Sequence, residues 1–301
     1  MTCSSIGSPP SSPPPLPGNP ADTMGLLTAT SHENDDDNTV EKIQKKKWVR
    51  AHLDPALTGP RVLDRLLAAE AAYSLAATSN YLYTRRTDIT AARRTHVADW
   101  MAAVCEDQGC GTQVLLLAVH YLDRLLAAGP AAVQPAELQL AAAACLFVAS
   151  KLCELHPLTV QIIVLYADDD ECVGPTDVLA MEGRLLGRLS WDLVTPTSLD
   201  FLHLLLLRNG DDNTELETLE EPVTRFLARA AREYQFCAVR PSVLAAAAIL
   251  TAVQLAWGGS AEERRVPMQS ARWKQLHLSL SHTLNIDKVY LHIFVILCMT
   301  K

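Results

Sequence analysis

Aromatic residues are scarce in this 301-residue chain, only 6% of it, although 49% is hydrophobic. Ala and Leu fill the apolar positions instead of the Val, Ile, Thr and Tyr that suit a pleated surface, which points away from sheets and toward packed helices. Positive charge is also short. With 26 Lys and Arg against 34 Asp and Glu the net charge is −8 and the pI is near 5.6. No global basic field can hold a phosphate backbone, so nucleic acid is not an expected partner. The eight Cys, at 3, 105, 110, 145, 153, 172, 237 and 298, include no C-x-x-C pair with which a zinc site would begin. We therefore expect no metal and read the thiols as reduced, small hydrophobes of an intracellular protein. The most lipid-like run, Val289 to Met299, falls short of the ~18 residues of a membrane span and reads as a buried terminal helix. Met1 to Pro20 is Ser/Pro-rich and lacks the apolar centre of a signal peptide.

Seven of the 17 prolines lie between Pro9 and Pro20, and a polar, acidic stretch from Ser31 to Asn38 follows. Such composition cannot bury enough surface to fold, so residues 1–50 are expected to be a disordered tail. The basic run Lys45-Lys-Lys-Trp-Val-Arg50 reads either as a nuclear-import signal or as the solvated entry to the first helix. From Gly59 onward helix follows helix. Pro60 opens the first, Val97 to Val104 forms a second apolar face, and Gln113 to Leu126 a third that stops at Gly129-Pro130. Leu138 to Leu152 is apolar almost all round, a fifth helix follows Pro157, and a sixth runs from Pro175 to Leu189. The scheme then restarts, with helices predicted over Thr197 to Leu207, Leu216 to Cys237, Pro241 to Trp257, Gln269 to Leu284 and Asp287 to Met299. Leu140-Ala-Ala-Ala-Ala-Cys-Leu146 is echoed by Leu244-Ala-Ala-Ala-Ala-Ile-Leu250. A helix apolar on every side must be enclosed by others, so the echo suggests two bundles, each wrapped around an Ala-lined central helix.

No catalytic engine is visible: G-x-S-x-G, H-E-x-x-H, the P-loop and G-x-G-x-x-G are all absent, and the nine His are dispersed. The chain reads as a binding module. Arg94 and Asp123 interrupt apolar surroundings with opposite charges, and a buried charge persists only when paired, so a structural salt bridge is expected between their helices. Lys151 and Glu154 end the all-apolar helix, and Glu182 sits in Met181-Glu-Gly-Arg-Leu-Leu186. Lys151 has two readings: a cation serving the last carbonyls of its own helix, or an ammonium that donates to a partner's carbonyls while Glu182 accepts from its amides.

Taken in order, Arg93-Arg-Thr-His-Val-Ala-Asp-Trp-Met101, Val104-Cys-Glu-Asp-Gln-Gly-Cys110, Ala118-Val-His-Tyr-Leu-Asp-Arg-Leu-Leu126, Leu138-Gln-Leu140, Phe147-Val-Ala-Ser-Lys-Leu152 and Met181-Glu182 resemble the cyclin box, most of all that of D-type cyclins. The likeness extends from about Asp54 through Leu193 and, more weakly, through Pro241-Ser-Val-Leu-Ala-Ala-Ala247 to about Leu284. The resemblance implies an all-α fold of two tandem five-helix cyclin-box bundles, at 54–194 and 195–301, the second divergent or truncated at its end. It implies a regulatory subunit, not an enzyme, that binds and activates a cyclin-dependent Ser/Thr kinase of the 4/6 class and promotes G1 progression and the G1/S transition, in nucleus and cytoplasm. No cofactor and no membrane are implied.

By motif, the family's kinase-contacting Lys and Glu fall on Lys151 and Glu182, with Glu154 and Leu185 beside them, and its paired Arg and Asp fall on Arg94 and Asp123. The patch at which cyclins dock substrates and inhibitors matches Val97, Trp100, Leu138 and Gln139. Arg93 and His96 stand there in place of apolar residues, and Ala103 in place of a frequent Glu. Retinoblastoma-family substrates are implied as partners, although no Cys here lies in the Leu-x-Cys-x-Glu motif of D-type cyclins. Two readings of other classes stand beside this one: a cyclin-fold transcription adaptor, against which the acidic balance argues, and a helical scaffold with no kinase partner.

Overall fold

The structure, a computed structural model, describes residues 59–73, 82, 88–129, 131–167, 173–209 and 219–257. The expected tail, the basic run at Lys45 to Arg50 and the helices expected beyond Trp257 lie outside the described residues. Among those described there are nine α-helices and no strand: α1 (Pro60–Ala72), α2 (Ala91–Asp107), α3 (Thr112–Ala127), α4 (Leu138–Cys153), α5 (Val160–Ala167), α6 (Pro175–Arg188), α7 (Ser198–Asn209), α8 (Glu220–Arg232) and α9 (Pro241–Trp257). Pro60, Pro135 and Pro175 each sit in the first turn of a helical segment, where the missing N–H costs nothing. Thr90 caps α2 by accepting from the Arg93 N–H.

The two Ala-rich runs are the axes of the fold. Helix α4 touches α2, α3, α5 and α6, and every residue from Ala141 to Ser150 is buried. Helix α9 packs against α7, α8 and α1, with Ala245 to Val253 buried. Methyl-sized side chains let neighbouring backbones approach on every side, so each axis contributes packing without bulk. Together with its opening turn, Pro135–Cys153 is long and apolar enough to cross a bilayer, yet here it is the core of the first bundle. Helices at the rim show the expected one-sided pattern. In α6, Val178, Met181 and Leu185 face inward.

A buried cation joins the two bundles. Arg94 and Asp123 form a bidentate pair, Nε to Oδ1 at 2.9 Å and Nη2 to Oδ2 at 2.7 Å, with both residues at most 3% exposed. Arg94 Nη1 also donates to the carbonyls of Ala231 at 2.9 Å and Arg232 at 2.7 Å. This corrects the single helix expected over 216–237. Helix α8 ends at Arg232, Glu233 is extended, and a 3-10 turn follows over Tyr234–Phe236. The guanidinium takes carbonyls that a continuing helix would have bonded itself, and it sits at the negative end of the α8 dipole.

Two further ties fix this junction. The Glu70 carboxylate of α1, itself buried, accepts from Ser242 N–H at 2.6 Å and Ser242 Oγ at 2.8 Å, capping the start of α9. The strap between the bundles is pinned by Tyr121 OH on the Leu193 carbonyl, Arg124 on the Asp192 carbonyl and Tyr73 OH on the Asp192 carboxylate. Helix α6 leads into the strap through left-handed Ser190 and Trp191, at φ 55° and 60°. Trp191 N–H closes on the Leu186 carbonyl and Ser190 N–H on that of Gly187, a Schellman ending in which Ser stands where Gly is usual.

Arg94→Ala strands a buried carboxylate and two carbonyls, so we expect a loss of about 3–5 kcal/mol in denaturant unfolding and faster amide exchange in α8. The paired change Arg94→Met with Asp123→Leu leaves no lone charge and should cost clearly less.

Candidate functional site

The last turn of α4 carries a cation on an aromatic shelf. Lys151 lies one turn beyond Phe147, and its ammonium sits 3.7 Å from the centre of the Phe147 ring. From there Nζ donates to Glu182 Oε1 of α6 at 2.7 Å. The Lys151 side chain stays 41% exposed and that of Glu182 16%, so the pair is assembled yet open to a partner. The reading of Lys151 as the cap of its own helix gives way to this contact. Ser150 manages the exit instead: its carbonyl accepts from Glu154 N–H, and its hydroxyl accepts from Leu158 N–H.

Glu154 and Leu185, expected beside the pair, are turned to the chain itself. Glu154 Oε1 accepts from Gly111 N–H at 2.8 Å, satisfying a free donor at the start of α3. Leu185 is 1% exposed, on the inward face of α6 with Val178 and Met181, so its side chain does not reach a partner. The spacing 178, 181, 185 carried that signal. Three residues near the pair in sequence were missed: Leu152 and Leu155 at the α4 exit and Leu179, one turn before Glu182, are all exposed. Large apolar groups this accessible, on the same two helical segments as an open ion pair, are what a docking surface offers.

The residues matched to a docking patch are partly gathered. Val97, Leu138 and Gln139 line a groove of about 690 Å³ between α2 and α4, with Arg93 and His96 at its rim. Val97 and Leu138 are buried as its floor, while Gln139 is exposed. Trp100 is not among its lining residues. Its indole N–H is committed to the Tyr166 carbonyl at 3.0 Å, which holds α5 against α2. Arg93 donates to the Pro135 carbonyl across the groove, and Ala103 is exposed on α2. Arg94 and Asp123 meet in the bolt between the bundles and offer nothing to a partner.

Helix α6 is held to the segment before α4 by charge. Arg184 grips Glu137 with two bonds, at 2.6 and 3.1 Å, and Arg188 donates to the Ala131 carbonyl. The Arg184 guanidinium, helped by the Gln134 N–H, holds the Glu137 carboxyl down at about 2. A carboxylate depressed on folding adds stability above its ordinary value of 4.5 and loses it as pH falls toward 2.

Comparison with known proteins accords with this architecture. The model of the cyclin N-terminal domain matches residues 61–194 and that of the cyclin C-terminal domain matches 196–290. The G1/S-specific cyclin-D1 of Danio rerio is 37% identical over 205 residues, 68% of each chain. The human G1/S-specific cyclin-D1 is 35% identical over the same length and shares, and the G1/S-specific cyclin-D3 of Bos taurus is 38% identical over 206 residues, again 68% of each chain. Among solved structures, a viral cyclin from herpesvirus saimiri superposes with a TM-score of 0.61 over 79% of this chain and 94% of its own, at 23% identity.

In acid titrations of stability, Glu137→Gln should flatten the decline between pH 4.5 and 2 relative to the parent chain. An unchanged slope would mean that Glu137 does not titrate in this range.

Proposed function

Given that the chain belongs to the cyclin family, we propose that it is the activating subunit of a cyclin-dependent Ser/Thr kinase of the 4/6 class, working in nucleus and cytoplasm to drive the G1/S transition. The observation that carries this reading is the Lys151–Glu182 pair, open to solvent, with Leu152, Leu155 and Leu179 exposed on the same helical segments. A kinase is active only when its own Lys–Glu ion pair and activation segment are in place. A subunit that binds that arrangement in preference to others shifts the population toward it. Lys151 supplies donors for the partner's carbonyls and Glu182 acceptors for its amides, while the leucines supply the apolar anchor. Because Phe147 and Glu182 already hold the ammonium, little side-chain freedom remains to be lost on docking.

The G1/S assignment follows the D-type relatives. The 4/6 class, the retinoblastoma-family substrates and the kinase inhibitors are the further reach of the proposal, with the groove between α2 and α4 as the surface where substrates and inhibitors would dock. The basic run at Lys45 to Arg50 supports nuclear entry.

The test is co-purification of the full chain with a 4/6-class kinase, followed by a kinase assay. Lys151→Ala with Glu182→Ala should weaken binding by at least about 30-fold, as loss of one central interface anchor does. Phe147→Leu should weaken it less, and Gln139→Ala should leave it unchanged. Undiminished binding by the double variant would remove the pair from the interface, and failure of the parent chain to bind would remove the function.

A further inference from the structure

Helix α2 ends in a turn that brings two thiols together. Gln108 closes the helix with its N–H on the Val104 carbonyl, and Gly109 then swings into the left-handed region at φ 65°. Gly109 N–H bonds the Glu106 carbonyl at 3.3 Å and Cys110 N–H bonds the Cys105 carbonyl at 2.8 Å. These are the two bonds of a Schellman ending, which sets the residue after the glycine against the third residue from the helix end. Here those residues are Cys110 and Cys105. The Cys110–Cys105 bond by itself keeps their Cα atoms within about 6.7 Å of each other, inside the roughly 4.4–6.8 Å that a disulfide spans. The side chains complete the approach, since the two thiols hydrogen-bond to each other. Both cysteines are free. Cys105 is buried in the core of the first bundle, and Cys110 is partly exposed at the turn into α3.

We propose that Cys105 and Cys110 form a redox modification site, a dithiol that a low-molecular-weight disulfide of the oxidised glutathione class converts into an intramolecular disulfide. Cys110, the more accessible of the two, is the entry point. After giving its proton to solvent it attacks one sulfur of the small disulfide, whose S–S bond breaks as a mixed disulfide forms and the departing thiolate takes up a proton. The Cys105 sulfur then attacks that of Cys110, and its proton goes to the second departing thiolate. In sum the protein gives up two electrons and two protons, and one small disulfide becomes two thiols. Burial raises both thiols ahead of any other cause, Cys105 up to about 12, and Glu154 adds to the rise at Cys110. Thiolate is therefore scarce at neutral pH and the exchange slow, which separates this site from a fast catalytic cysteine. Thiols that ionise reluctantly also leave reluctantly, so the bond once made resists reduction. It would tie the last turn of α2 to the residue before Gly111, whose own N–H is held by Glu154 at the exit of α4. The inference rests on this turn alone and is independent of the reading of Lys151 and Glu182.

The full chain is equilibrated in glutathione buffers from fully reduced to fully oxidised, quenched in acid, unfolded, blocked at its free thiols with N-ethylmaleimide and mapped by mass spectrometry. We expect a Cys105–Cys110 disulfide that grows with the oxidised fraction, is absent from the reduced buffer and reverts with dithiothreitol. Cys105→Ser, which removes the second attack, should leave glutathione on Cys110 as a mixed disulfide. Cys110→Ser should slow modification of Cys105 at least tenfold, because the buried thiol loses its relay. The oxidised parent should melt no lower than the reduced parent, as a bond that fits the native turn requires. Mapping of the parent decides the matter even where a variant does not fold. The proposal is overturned if Cys105 and Cys110 both carry maleimide in the most oxidising buffer, or if either pairs with another cysteine instead. It is overturned equally if Cys105→Ser folds and takes no glutathione on Cys110, or if oxidation lowers the melting temperature of the parent.

Discussion

A guanidinium buried at the meeting point of two helical bundles organises this molecule. Arg94 closes a bidentate contact with Asp123 inside the first bundle and, with another nitrogen, takes up the last carbonyls of α8 in the second. A buried charge that lost any of these partners would be costly, so the arrangement fixes several things together. It sets the register of α2 against α3, the point where α8 stops, and the face that α8 turns to the first bundle. Ion pairs of this kind do not have to outperform apolar packing in strength. What they add here is a single allowed geometry at the junction, which the Glu70–Ser242 cap and the hydrogen bonds of the strap then reinforce.

That geometry reaches the candidate binding surface through α4. With Ala on every side, α4 lies within close range of four neighbours, and its last turn presents Lys151 in a fixed place relative to α6. The site is thus built on two rigid helices and not on a loop. Phe147 does double duty, with most of its ring in the core and its face under the ammonium. Arg184 and Glu137 brace the same helix α6 on its other flank.

Much of this was legible in the sequence because periodicity is local. Prolines at first turns, one-sided apolar spacing and the all-apolar Ala runs give helix starts, faces and axes. The opposite charges of Arg94 and Asp123 stand out against apolar neighbours. The third party to that contact did not, because the acceptors are backbone carbonyls of Ala231 and Arg232, which any sequence possesses. Glu70 escaped notice for a related reason: the N–H it caps lies 172 positions away. Ser190 hid its left-handed turn by not being Gly. Leu185 shows the opposite failure, since its place in the 178, 181, 185 pattern marked it as core while motif position suggested contact. For Leu152, Leu155 and Leu179, composition says only that they are apolar, and exposure depends on the fold.

The Arg94 contact also has a consequence for biosynthesis. A ribosome releases α2 and α3 more than a hundred residues before the carbonyls of Ala231 and Arg232 exist. Glu70 waits longer still for Ser242. The first bundle can therefore emerge with its internal pair made but its outward donors and its capping carboxylate unmatched, in a wet and provisional form. Synthesis of α8 and the start of α9 supplies the missing acceptors and donors together, which makes the second bundle the step that completes the first.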